Sequence, residues 1–143
     1  MKKYSQVIML CGIGLLAGCQ RTQTPLNNVK PFTMALNNDS NYQPLLTGIP
    51  QTCGMRSGRV FLEPGKDCGE HTTGEHEEML VFLSGSVMVL LEHNYELPVA
   101  SGAIAYISPY TRHNVKNTAK EPLVYIYCVS PIHESFHQEE HHH

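Results

Sequence analysis

Histidine and glutamate side chains cluster in one short segment of this 143-residue chain. His71, His76 and Glu78 fall within eight residues, and His113 follows further along the chain. Side chains alternate faces along a strand, so His76 and Glu78 share a face, and His71 can meet them across a turn at Gly74. Neutral imidazoles together with a carboxylate suit Fe, Mn, Ni, Cu or Zn. The pattern predicts a transition-metal site with open positions for water or a ligand.

The segments that carry these residues have the turn signals of an all-β domain. From Met55 onward, short apolar runs are separated by turns rich in Gly, Pro, Asn and Ser. No apolar period of 3.6 residues and useful length follows the N-terminal segment. Seven or eight short strands are typical of a sandwich or barrel, in which closure removes exposed edges. The predicted strands are 59–62, 68–73, 78–83, 86–91, 96–100, 103–107, 112–116 and 123–129.

Two motifs in this region resemble those of the cupin superfamily. Segment 65–85 is similar to the first cupin motif, Gly-x5-His-x-His-x4-Glu-x6-Gly, with His71 and Glu78 at matching spacings. Segment 102–117 is similar to the second motif, Gly-x5-Pro-x-Gly-x2-His-x3-Asn, with His113 in place. The resemblance implies a small double-stranded β-helix, or jelly-roll, barrel. It also implies a metal held inside by these two histidines and the glutamate.

The sequence departs from both motifs. Thr73 stands where the first motif has its second histidine, and Ser108 and Tyr110 replace the proline and glycine of the second motif. Threonine is a poor metal ligand, and His76, two residues before Glu78, is the natural substitute. The predicted ligands are therefore His71, His76, Glu78 and His113. We expect Glu75 and Glu77 to face solvent and Glu70 to lie at the rim, and we expect Tyr106, Tyr125 and Tyr127 to pack in the barrel.

The N-terminus has the pattern of a bacterial export signal. Lys2 and Lys3 precede an apolar stretch at 7–16, which is too short for a stable transmembrane helix. The stretch ends in Leu-Ala-Gly-Cys, which resembles the lipobox of bacterial lipoproteins, with Cys19 as the lipidated residue. The alternatives are an ordinary cleaved signal peptide and a chance hydrophobic terminus. Since Gln20 and not Asp follows the cysteine, the resemblance favours the outer membrane, facing the periplasm, if the organism is Gram-negative.

These signals divide the chain into four predicted parts. They are a signal peptide at 1–18, a lipidated cysteine and flexible tether at 19–50, a cupin barrel at 51–133, and a histidine-rich tail at 134–143. The tether is rich in Asn, Gln, Thr, Ser and Pro, and residues 32–36 could add a strand to the barrel edge. The terminal histidines, 141–143, are either a tag remnant or a natural tail.

Three cysteines lie beyond the leader, at Cys53, Cys68 and Cys128. An oxidising periplasm would allow a disulfide between Cys53 and Cys68. A free Cys68 thiol near the metal is a second arrangement, because this residue comes three positions before His71. Buried or partly paired cysteines without a chemical role are the commoner case.

Composition excludes some functions and leaves three open. Charged residues make up 16% of the chain, the net charge is -3 and there is no basic patch, so we expect no nucleic-acid partner. No nucleophile triad or phosphate loop is visible. The remaining hypotheses are a metal-dependent enzyme for a small polar molecule, a non-catalytic binding module for a sugar-like ligand, and a metal-free scaffold. We also expect membrane attachment through the N-terminal lipid, and a homodimer.

Overall fold

Nine antiparallel strands run through residues 29–132, the part of the chain that this computed structural model describes. They are β1 (Tyr42–Thr47), β2 (Arg56–Leu62), β3 (His71–Thr72), β4 (His76–Ser84), β5 (Ser86–Leu91), β6 (Glu96–Ala100), β7 (Ile104–Ile107), β8 (Arg112–Asn117) and β9 (Leu123–Pro131). The predicted signal peptide, the lipidation site at Cys19 and the tail at 134–143 lie outside the described residues.

The strands form two sheets. One has five strands in the order β1-β2-β9-β4-β7, and the other has four in the order β3-β8-β5-β6. Between the sheets lies a core of ten buried apolar side chains: Leu62, Leu80, Phe82, Val87, Val89, Ala105, Ile107, Val115, Leu123 and Tyr125. The all-β prediction is confirmed.

Strand register arranges the inner face of the five-stranded sheet in rows, because residues paired across neighbouring strands point to the same side. The first row contains Arg56, Val129 and Glu78, the second Gly58, Tyr127 and Leu80, and the third Val60, Tyr125 and Phe82. On the four-stranded sheet, His71, His113 and Leu91 form one row, followed by Val115 and Val89 in the next. The charged row of one sheet and the histidine row of the other therefore contribute to the same part of the interior.

The ordered domain begins earlier than the sequence pattern indicates. Strand β1 lies within the predicted tether and pairs with β2, with an irregularity in register between Pro44 and Leu46. A proline is tolerated there because β1 is an edge strand. The strand proposed for 32–36 is absent. The side chain of Gln43 instead bonds the backbone of this segment, donating to the Ala35 carbonyl at 3.0 Å and accepting from the Asn37 amide at 3.0 Å.

Helical structure is minimal within residues 29–132. The 3-10 turn Glu92–Asn94 joins β5 to β6, and His93 within it adopts a φ of 58°. Among residues 29–132, no helix has the length and apolar character needed to cross a membrane. The strands and their register therefore position the candidate site.

Candidate metal centre

Three of the predicted ligands converge from the two sheets. Glu78 lies on β4, while His71 on β3 and His113 on β8 are direct register partners. One possible ligand atom from each of the three lies within 4.8 Å of the other two. Nε2 of His113 is 3.0 Å from Glu78 Oε2, and Nε2 of His71 is 4.0 Å from the same oxygen. The imidazole centroids are 4.3 Å apart. This arrangement fits one metal ion bound by two imidazoles and a carboxylate.

Burial differs sharply among the three side chains. The exposed fraction is 0% for the side chain of His113, 7% for Glu78 and 46% for His71. The site is therefore closed by protein behind His113 and open to solvent beside His71. A group bound between these side chains would have protein ligands on one side and free positions on the other.

Backbone carbonyls orient both imidazole rings. Nδ1 of His71 is 2.9 Å from the Gly69 carbonyl oxygen, and Nδ1 of His113 is 3.4 Å from that of Thr111. A carbonyl can only accept, so these contacts favour a proton on Nδ1 and leave the Nε2 lone pair directed at the site. Metal-binding histidines are commonly held in this way.

The buried Nε2 of His113 has no hydrogen-bond partner among the described residues. It nevertheless lies 3.0 Å from Glu78 Oε2. With the proton on Nδ1, a nitrogen lone pair would face a carboxylate oxygen, and this arrangement is repulsive unless a cation or a proton lies between them. Buried polar groups rarely stay unpaired. The residues therefore fit a cation bound at this point.

The residues that depart from the family motifs have structural roles here. The Thr73 hydroxyl donates to the Ser108 carbonyl at 2.8 Å and accepts from the Thr111 amide at 3.0 Å. It ties two loops together, which agrees with its exclusion as a ligand. Tyr110, in the place of the motif glycine, has a φ of 57°, so the left-handed backbone is kept without the glycine.

His76 does not join the other three side chains. It shares a face with Glu78, as strand alternation requires, but it pairs with Pro131, one row further out than the pairing of Glu78 with Val129. Two residues along a strand correspond to roughly 6.6 Å. His76 is partly buried and does not line the cavity beside the candidate ligands. The structure therefore brings together His71, Glu78 and His113 and places His76 at the rim.

A cavity of about 310 Å³ extends from the candidate ligands into the barrel. Both sheets contribute to its wall, which is lined by Arg56, Val60, Cys68, His71, Thr72, Thr73, Glu78, Leu80, His113, Val115, Tyr125, Tyr127 and Val129. Leu80, Val60 and Val115 provide apolar wall. Its volume suits a small organic molecule.

Cys68 lies on this cavity and forms no disulfide with another described cysteine. Its Sγ is 3.3 Å from the backbone nitrogen of Val115, which donates to it. Burial of the thiol raises the pKa of Cys68 above its ordinary value. The disulfide proposed between Cys53 and Cys68 is not formed, and both thiols are free within the described part of the chain. Cys53 precedes β2 and Cys68 follows it, so the full length of that strand separates them in the chain.

Two of the three tyrosines predicted to pack in the barrel line the cavity. Tyr125 is almost fully buried, as predicted, and burial strongly raises its pKa. Tyr127 lies on the wall, and its hydroxyl is 2.7 Å from that of Tyr42. A Cβ at Gly58 would come within 2.7 Å of both of these rings, so glycine makes room for the pair. Packing was the wrong prediction for Tyr106, which is 57% exposed.

The acidic residues around the site behave as predicted. Glu75 and Glu77 are exposed, and Glu77 accepts a hydrogen bond from the Tyr106 hydroxyl at 3.1 Å. Glu70 lies at the surface, where it pairs with Arg112 at 2.8 Å. Glu78 is therefore the acidic side chain that the fold directs inward at the site.

The sequence matches the family model for the cupin domain (Cupin_2) over residues 58–130. The matched region contains all three candidate ligands that converge at the site. A comparison with curated proteins found no match.

Solved structures resemble the described fold. A protein from Bacillus halodurans has a TM-score of 0.63 at 20% identity, covering 76% of this chain and 86% of that one. A Cupin 2 conserved barrel domain protein from Salinispora arenicola has a TM-score of 0.56 at 20% identity, covering 71% and 87%. The Cnp3 cupin domain of Schizosaccharomyces pombe has a TM-score of 0.57 at 14% identity and covers 64% of this chain, which spans 60% of that one. These likenesses confirm the predicted double-stranded β-helix.

Proposed function

Since this chain belongs to the cupin family, we propose that its barrel binds a divalent transition metal through His71, Glu78 and His113 and presents it to a small polar ligand in the cavity. The observation that carries the proposal is the unpartnered Nε2 of buried His113, which lies 3.0 Å from a carboxylate oxygen. A metal ion between these atoms would turn a repulsive contact into two ligand bonds. Fe, Mn, Ni, Cu and Zn all suit this donor set.

Each residue has a distinct part in this proposal. His113 is the buried anchor, and Glu78 supplies the negative charge that partly neutralises the ion. His71, half exposed, completes the set at the open side. A bound metal would supply Lewis-acid or redox chemistry at its open positions. The apolar wall around Leu80 and Val115 would exclude water from the ligand behind it.

A non-catalytic binding module is the second candidate. The observation that favours it is the incomplete ligand set, because Thr73 occupies a motif histidine position and is hydrogen-bonded to the 108–111 loop. Such a barrel would bind its ligand without turning it over. Product formation by the metal-loaded chain would decide between the two candidates.

Metal content of the purified full chain tests the site. We expect His71→Ala and His113→Ala each to remove one metal equivalent per chain, measured by elemental analysis. The comparison is made against the parent chain so that binding by the terminal histidines cancels. His76→Ala is the matched control, because it removes a histidine from the same end of the barrel, one row further out than Glu78. Equal metal content in all variants would overturn the proposal, and metal loss in His76→Ala would restore the four-ligand set.

We further propose that the protein is attached to the bacterial cell envelope through a lipid on Cys19. The support comes from the lipobox-like Leu-Ala-Gly-Cys at the end of the apolar stretch. Several acyl chains would make the attachment stable, because one chain alone binds membranes only marginally. Cells fed a labelled fatty acid should incorporate it into the parent chain and not into Cys19→Ser. Equal labelling, or none in the parent, would exclude the lipid anchor.

A further inference from the structure

The wall facing the histidines carries a cationic side chain that the metal site does not use. Arg56 lines the cavity and pairs in register with Val129, which itself pairs with Glu78. Arg56 and Glu78 therefore belong to one row, two strand spacings or roughly 10 Å apart at their Cα atoms. This is a separation that a small molecule can bridge from a metal on Glu78 to the arginine.

Arg56 is free for such a role. Within residues 29–132 it forms no salt bridge and donates no side-chain hydrogen bond. Arg59, on the same strand, differs. Its guanidinium is buried and donates to the Ser40 carbonyl at 3.2 Å and to Asn38 Oδ1 at 2.6 Å. Arg59 supports the loop before β1, whereas the guanidinium of Arg56 has no hydrogen-bond or salt-bridge partner among the described residues.

The hydroxyl of Tyr127 lies on the same wall, one row further in. It shares a hydrogen bond with Tyr42, and when Tyr42 donates, the Tyr127 proton is free to bind a ligand. Burial raises the pKa of Tyr127, while the positive charge of Arg56 acts in the opposite direction. The hydroxyl therefore stays a neutral donor within the field of the guanidinium.

With a divalent metal bound, the cavity lining would carry a net positive charge. Arg56 and Glu78 are the two residues of the Lys, Arg, Asp and Glu types among those lining the cavity in the described part of the chain. A divalent ion together with Arg56 outweighs the single charge of Glu78. The cavity would then attract anions, and a guanidinium fork matches the geometry of a carboxylate.

We propose that the cavity selects a small carboxylate ligand, with Arg56 and Tyr127 binding the carboxylate while the rest of the molecule reaches the metal. This inference rests on the proposed metal site and specifies its ligand class. The volume of about 310 Å³ limits the ligand to a small molecule. Arg56 is exposed to solvent, so a neutral molecule of the same shape would leave its guanidinium hydrated, would gain no ion pair and would bind less well.

Calorimetric titration with succinate and with neutral succinamide tests this ligand class on the zinc-loaded full chain. We expect succinate to bind more tightly than succinamide, and Arg56→Gln to weaken succinate binding roughly tenfold or more, the range for a hydrogen bond to a charged group. Arg56→Lys, which keeps the charge but not the fork, should retain part of the affinity. Lys116→Gln is the matched control, because it removes one positive charge from the outer face of β8.

Metal content measured on the same samples separates the two proposals. A zinc-loaded chain that binds succinate no better than succinamide, or that loses equal affinity in Arg56→Gln and Lys116→Gln, overturns the carboxylate inference and leaves the metal site standing. A chain that takes up no zinc in the barrel overturns the metal site. If that chain still binds succinate through Arg56, the anion subsite is upheld without the metal. If it does not, both proposals fail.

Discussion

The two ends of the barrel interior are built on the same strands but differ in chemistry. At one end, Phe82, Val87 and Leu123 belong to the buried apolar cluster and are almost completely buried. At the other end, four residues further back along β4, Glu78 faces two histidines. Both ends come from one pattern of alternation, so the same inward face changes from apolar to polar within a single strand.

The difference between the ends shows where stability and chemistry are placed. Burial of apolar area at the packed end stabilises the fold, since a buried Leu or Phe contributes about 1.5–3 kcal/mol. Burial of Glu78 and His113 costs free energy unless a partner compensates their charge and lone pairs. Apolar burial at the packed end would therefore offset the free-energy cost of burying Glu78 and His113 at the other end, where these side chains are arranged to bind a ligand.

The largest effect is expected at the packed end. Phe82→Ala should lower the free energy of unfolding by about 3–5 kcal/mol, because it leaves a cavity among buried side chains. Urea unfolding measures the loss, and Met79→Ala, on the outward face of the same strand, is the control. The folded fraction should keep its metal affinity. Loss of metal in a fully folded Phe82→Ala chain would show that the two ends are not independent.

Asn117 offers a test of intermediate size, because it is a polar residue at the packed end. It is fully buried, and its Nδ2 donates to the Leu62 carbonyl at 3.0 Å and to the Glu121 carbonyl at 2.9 Å. Asn117→Ala should lower the free energy of unfolding by about 1–3 kcal/mol, since it leaves buried carbonyls unpaired. Thermal unfolding against exposed Thr118→Ala checks this. Equal stability of the two variants would contradict the assignment.

A smaller change in the free energy of unfolding, of opposite sign, is expected at the end of the barrel that carries Glu78. In the metal-free chain, Glu78→Gln should leave the free energy of unfolding within about 1 kcal/mol of the parent value or raise it, because it removes a buried charge. The same variant should no longer bind metal. Urea unfolding with and without a chelator measures both quantities. Strong destabilisation of the metal-free variant would mean that Glu78 has a structural role instead.

The smallest expected effect concerns the two thiols near β2. Because burial raises the pKa of Cys68, less of its reactive thiolate forms at a given pH. Both residues are exposed, so the difference rests on the thiolate fraction: iodoacetamide at pH 8 should alkylate Cys53 faster than Cys68 in the folded chain, as read by peptide mass spectrometry. The rates should become alike in denaturant. Faster reaction of Cys68 in the folded chain would show that its thiol is not shielded at the cavity.

Much of this organisation could be predicted from local sequence. Alternation and turn residues indicated most of the strands, and the motif spacings identified His71, Glu78 and His113. The inclusion of His76 among the ligands remains a prediction, although the structure places it one row away from the other three: alternation predicts the face of a side chain but not its row, and the row depends on pairing with β9, some fifty residues away. The place of Arg56 on the opposite wall had no signal in sequence, because it too depends on register across β9.

Strand β1 was missed for a different reason. Its sequence is short and polar at both ends, and Pro44 weakens the strand signal. Pairing with β2 nevertheless holds it as an edge strand. Expectations that depend on the N-terminus, and the expected homodimer, remain predictions.

The division of the three candidate ligands between two sheets has a kinetic consequence. Glu78 belongs to one sheet and both histidines to the other, so the complete set exists only after the sheets have packed together. A metal ion would therefore gain its full affinity at the end of folding and would have little influence on the earlier steps. It would mainly lower the unfolding rate, which lengthens the lifetime of the native chain, and would leave the folding rate unchanged.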